Sequence, residues 1–212
     1  MNNSLDVIEY RGYKINVFQD EMAESPDNWG NDDCFLIYDH RQFSVQRKGF
    51  DPDEVNEFWV RTKGARLYDG YRIYPVFAYI HSGVSLSLGR NTYPFTCPWD
   101  TSMKGFVLVK RQKGWTYTER ASRKVAQSVI NEWNDYLSGN VYGYTIDGLD
   151  DSCWGFYGDY RKESQMISEA KGAIDYEINS MIKKHISDLK EWIKNKVSII
   201  YRKPLSLTPQ IA

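Results

Sequence analysis

Between Arg161 and Val197 the apolar residues fall on one stripe: Ile167, Ala170, Ile174, Ile178, Ile182, Ile186, Leu189, Ile193 and Val197. Nine positions span thirty residues, a mean step of 3.75. That period marks an α-helix and departs from the 3.5 of a left-handed coiled coil, so the stripe is predicted to lie on the chain's own sheet rather than in a dimeric zipper. Such a helix is ~50 Å long at 1.5 Å per residue, longer than a small domain is wide. Part of it must therefore overhang, or the helix kinks near Gly172. A fold with one such helix needs a broad apolar sheet face to receive it.

The remaining residues supply strands. Residues 7–20 alternate around a turn at Arg11-Gly12, and 34–38 and 43–46 read as two short strands after an acidic loop over 21–33. Asp51-Pro52-Asp53-Glu54 is a helix start, with Asp at the N-cap, Pro at N1 and an acid at N3, and the helix runs to about Thr62. Residues 72–81 form the strongest strand pattern, turned by Ser82-Gly83 into Val84, Leu86 and Leu88, which alternate with serines. A loop over 89–102, a strand over 105–111, a helix from Thr118 to about Leu137 and a hairpin of 141–146 with 153–157 follow. The order strands, helix, strands, helix, hairpin, helix predicts an α+β fold with a mostly antiparallel sheet, two or three packed helices and a long C-terminal helix. Its parts are a domain over 1–158, the helix over 159–200 packed on it, and a tail over 201–212.

The chain has 212 residues, 42% of them hydrophobic and 26% charged, enough apolar material for a real core. Seven Trp and sixteen Tyr suit sheet faces and binding surfaces alike. The three cysteines, at 34, 97 and 153, form no CxxC pair, which argues against a disulfide framework or a structural zinc site and for a reducing cytoplasm. The first twenty residues are too polar for a signal peptide, and no run of about 18 apolar residues predicts a membrane span. The expectation is a cytoplasmic protein with no membrane partner.

Charge is unevenly distributed. Residues 1–60 hold 13 acids and 5 bases, a balance of −8; residues 61–125 hold 3 and 12, a balance of +9. Either the first segment folds against the second, or a basic face meets nucleic acid or an acidic protein. The basic residues gather at Lys104, Lys110, Arg111, Lys113, Arg120, Arg123 and Lys124, interleaved with Trp115 and Tyr117. Cations for phosphates beside aromatic rings for bases are what a single strand requires. The plainer reading is a solvated strand-to-helix edge with Trp115 turned inward, because no RNP, KH or helix-turn-helix pattern accompanies the segment. The acids of residues 1–60 favour an acidic protein partner over phosphates, unless they occupy another face.

Two aromatic motifs stand out: Cys97-Pro98-Trp99-Asp100-Thr101-Ser102, closed by Gly105-Phe106, and Asp151-Ser152-Cys153-Trp154-Gly155-Phe156-Tyr157-Gly158. Cys97, Trp99, Asp100, Cys153, Trp154 and Tyr157 are expected to be structural, with both indoles buried and the two loops close together. A cysteine nucleophile at Cys153 or Cys97 with His81 as base and Asp100 as its orienter is the sharpest enzymatic alternative. Free cysteines more often fill space in a core, so no catalytic residue is assigned. No HxxxH, CxxC or EF-hand pattern marks a metal site, and no Walker or GxGxxG loop marks a nucleotide cofactor, so neither metal nor cofactor is expected.

These two motifs, together with Asn134-Asp135-Tyr136-Leu137-Ser138-Gly139-Asn140-Val141-Tyr142-Gly143-Tyr144, resemble a group of small accessory proteins of bacteriophages and integrated mobile elements. The likeness covers about residues 71–180 and carries over no catalytic residue. It implies a protein made in a bacterial cytoplasm that acts by binding a host protein or ribonucleoprotein complex, inhibiting a defence nuclease in the anti-CRISPR or antirestriction manner. A nucleic-acid-binding accessory protein is the alternative, and a cysteine-dependent hydrolase is a third.

Overall fold

In a computed structural model, which describes residues 4–89, 101–161, 164–198 and 201, the chain is α+β with two antiparallel sheets. The first sheet combines the N-terminal hairpin with a hairpin from residues 141–157. Strands β1 (Asp6–Tyr10) and β2 (Tyr13–Gln19) form a hairpin that pairs with β9 (Val141–Ile146) and β10 (Ser152–Tyr157), in the order β1-β2-β9-β10. The second sheet holds β3 (Cys34–His40), β4 (Phe43–Val45), β5 (Leu67–Tyr68), β6 (Tyr71–Ile80), β7 (Val84–Leu88) and β8 (Thr101–Lys110). Its order is β4-β3-β8-β6-β5, with β7 also paired to β6. A mostly antiparallel architecture holds, divided over two sheets. Local alternation predicts strands but carries no information on which distant strands pair.

Period two along β3, β6 and β8 gives the second sheet two apolar faces. Leu36, Tyr38, Tyr74, Val76, Val107 and Val109 face α2 (Glu119–Leu137), which answers with Ala126, Val129, Ile130 and Trp133. Phe35, Ile37, Ile73, Phe106 and Leu108 point the other way, to Val55, Phe58 and Trp59 of α1 (Pro52–Arg61). Both caps form as their sequences require. Asp51 accepts from Asp53 N at 2.8 Å with Pro52 next, and Thr118 Oγ1 accepts from Ala121 N at 3.2 Å.

The long helix is α3 (Gln165–Lys196), capped by Ser164. Its first half lies on the first sheet: Met166, Ile167, Ala170 and Ile174 pack on Ile15, Val17, Tyr144 and Ile146. From Asn179 to Lys196 none of its residues is buried, and Ile182, Leu189 and Trp192 are exposed. The predicted overhang is present, and the stripe rests on its own sheet only as far as Ile178. Among the described residues no helix is long and apolar enough to cross a membrane, and no group of three His, Cys, Asp or Glu could hold a metal ion.

Candidate nucleic-acid interface

The basic segment begins where β8 ends. Thr116, fully buried, closes the following loop: its hydroxyl donates to the Lys110 carbonyl and accepts from Gln112 N at 3.0 Å. With Gly114 at φ 86°, this turn presents Lys113 and Trp115 outward, Trp115 being 49% exposed. Beyond the turn, the Arg111 guanidinium lies 4.4 Å from the centroid of the Tyr117 ring, whose exposure is also 49%. Arg72 Nη2 on β6 donates to the Tyr117 carbonyl at 2.8 Å. Arg120, Arg123 and Lys124 follow in the first turns of α2, where the positive end of the helix adds to their field.

Not every cation is available. Lys110 pairs with Asp33 at 3.2 Å; that hydrogen bond and charge hold its ammonium above the usual range, and hydrogen bonds from Gln112 and Lys110 hold the Asp33 carboxyl below its own. Arg66 pairs with Glu119. Among the described residues, Arg111, Lys113, Arg120, Arg123 and Lys124 join no ion pair. Lys104 is exposed on β8 but stands six residues from Lys110, ~20 Å along a strand, so it lies apart from this group. Folding of the acidic first segment against the basic one is thus represented by Lys110–Asp33. Asp51 caps α1, and Asp53, Glu54 and Glu57 belong to it, on the opposite face of the second sheet from α2.

A cavity of ≈ 400 Å³ opens beside the loop. Leu36, Val125, Val129 and Trp133 give it apolar walls, and Trp115 stands over it rather than packing in the core. Arg47, in the lining, has a side chain 16% exposed, paired to Asp27 at 3.3 Å and Asp32 at 2.5 Å, with its guanidinium over the Phe35 ring. Glu132, also in the lining, has lost part of its hydration, which raises its carboxyl above the usual range, helped by the charge of Asp135. Burial likewise pushes the Cys34 thiol up, reinforced by Glu132, while Asn31 Nδ2 donates to its sulfur at 3.1 Å. A raised thiol pKa disfavours the thiolate that nucleophilic chemistry needs.

Cys97, Trp99 and Asp100 lie outside the described residues, so their predicted proximity to the second motif falls outside as well. That motif forms β10. Cys153 is half-buried beneath α3, and Tyr157 donates its hydroxyl to the Glu24 carbonyl at 2.6 Å, its phenol pushed up to about 12 chiefly by burial. Trp154 is not buried as expected; it is 48% exposed. A bulge sets both Trp154 and Gly155 against Gly143, and the indole lies over that glycine, near Phe18, on the face away from α3. His81 opens the turn between β6 and β7 of the second sheet, whereas Cys153 belongs to β10 of the first.

Arg66 and Arg72 went unmarked in the sequence, and Glu132 stood out only as a helix mate of Glu119 on a different face. The two arginines reach the interface only through the β5–β6 pairing and the packing of α2, which no local pattern reveals. Neither a family model, nor a curated protein, nor a solved structure matches this chain, so what the surface binds follows from its chemistry alone.

Proposed function

We propose that the protein is an accessory protein acting by binding rather than chemistry, and that the surface around the start of α2 meets nucleic acid within a host ribonucleoprotein complex. The observation that carries this reading is the Arg111–Tyr117 stack beside exposed Trp115, among cations that join no ion pair among the described residues. Unpaired cations neutralise phosphates, and half-exposed rings stack on bases. Of the thirteen acids in residues 1–60, Asp51, Asp53, Glu54 and Glu57 sit at α1, behind the sheet, while Asp27 and Asp32 are paired with Arg47 and Asp33 with Lys110, so those near α2 are already neutralised in part.

The resemblance to phage accessory proteins suggests that the complex is a host defence nuclease and that binding inhibits it. An acidic host protein contacting the same cations is the second reading, supported by the mixed charge of the chain. The variant Arg111→Glu, Lys113→Glu, Lys124→Glu separates them. On the first reading, nucleic acid co-purifies with the wild type and not with the variant, and protection of phage in a defended host is lost in parallel. Protection lost without any nucleic-acid affinity in the wild type would favour the protein partner.

A further inference from the structure

We infer that the cavity beside Trp115 receives one unstacked nucleobase of a bound single strand, with the Trp115 indole as its stacking platform. This rests on the reading of the basic surface as a nucleic-acid interface and names what occupies its pocket.

The cavity and the cations share a boundary. Trp115 belongs to the loop that carries Lys113 and also lines the cavity, while Lys124 stands one helical turn before Ser128, another lining residue. A strand whose phosphates follow Lys113 and Lys124 therefore passes the cavity mouth. The volume, ≈ 400 Å³, falls within the range of small-molecule sites, and the apolar and aromatic walls are interrupted by polar side chains, among them Asn31, Arg47 and Glu132. A nucleobase, an apolar ring edged with hydrogen-bonding groups, matches that mixture.

The polar groups inside narrow the choice. Asn31 is occupied, its carbonyl accepting from Asp33 N at 3.0 Å and Cys34 N at 3.3 Å and its amide donating to Cys34. Arg47 is held by Asp27 and Asp32. Among the described residues the Glu132 carboxyl makes no hydrogen bond or ion pair, so it remains as an acceptor. A carboxylate accepts from an exocyclic amine, which cytosine, adenine and guanine carry and thymine and uracil lack. The cavity thus favours an amino-bearing base.

The test compares a short oligodeoxycytidine with an abasic strand of the same length, which keeps the phosphates and removes the bases. The wild type should bind the cytidine strand more tightly. Trp115→Ala should weaken that binding by roughly tenfold or more, the range of one lost stack, without changing affinity for the abasic strand or the salt dependence. Trp115→Phe should retain most of the preference, and Ser128→Phe, which fills the cavity from an exposed helix position, should abolish it. Equal binding of both strands by the wild type, or equal weakening of both by Trp115→Ala, overturns the base pocket while leaving the basic interface standing. Cytidine monophosphate competing as well as the strand reassigns the cavity to a free nucleotide and overturns it too. Failure to bind either strand at low salt refutes the interface itself, a distinct outcome.

Discussion

Tyr38 lies across Gly105. The β3–β8 register sets them opposite each other, and a Cβ at 105 would collide with the Tyr38 ring and stand 2.9 Å from its Cα. Tyr38 is fully buried and donates its hydroxyl to the Ser102 carbonyl at 2.9 Å, so the ring has nowhere to go. Gly105→Ala should cost about 3 kcal/mol, the upper range for overfilling a core, measured by urea unfolding.

The same device recurs at Gly143, beneath Trp154, where a Cβ would meet the indole and stand 2.8 Å from the Cys153 carbonyl oxygen. Here the ring is half-exposed and can turn aside. Gly143→Ala should cost less than Gly105→Ala. Trp154→Ala should cost about 2 kcal/mol, below the 3–5 of a buried indole. The double variant should lose less stability than the two single losses added, because removing the ring removes part of the clash. Strict additivity would show that the Cys153 carbonyl alone sets the cost.

These glycines show how far the sequence could be read. The motif strings drew attention to Gly105 and Gly143, and close approach explains their presence, but only the strand register reveals which aromatic ring each one seats. Caps at Asp51 and Thr118 were legible because a cap is local chemistry within four residues. The division into two sheets was not, since β2 meets β9 across more than a hundred residues. Trp154 misled because its motif suggested a loop core, whereas period two turns its side chain to the outer face of β10. The cluster at Arg111, Lys113, Arg120, Arg123 and Lys124 was visible as a charge run; its companions Arg66 and Arg72 and the adjoining cavity depend on tertiary packing.

Glu132 gives a pH test. Its carboxyl is raised in the fold above the ordinary value of 4.5, first by burial and then by Asp135. The folded state therefore holds a proton more tightly than the unfolded chain. The contribution of this residue is most favourable below the unfolded value and is lost as pH rises through the folded one. Glu132→Gln should raise the melting temperature at neutral pH, and the gain should vanish as pH falls below about 4. A gain that persists unchanged in acid would assign the effect to packing.

Lys110 and Lys113 should behave differently. Lys110 is tied to Asp33, whereas Lys113 makes no ion pair among the described residues. Lys110→Ala should lower the melting temperature with a small effect on strand affinity. Lys113→Ala should do the reverse. Melting curves and fluorescence anisotropy on the two variants check this directly, and a matching loss of affinity in both would mean that the Asp33 pair opens on binding.

The most direct measurement is the salt dependence of single-strand binding. With ~4 phosphate contacts, log affinity against log salt should fall with a slope of about −3. In Arg111→Glu, Lys113→Glu, Lys124→Glu that slope should shrink toward zero and affinity should collapse, with the melting temperature close to that of the wild type. A wild-type protein that binds neither single-stranded DNA nor RNA at about 50 mM salt, or that binds with a slope the three substitutions leave unchanged, would contradict the assignment of this surface to nucleic acid.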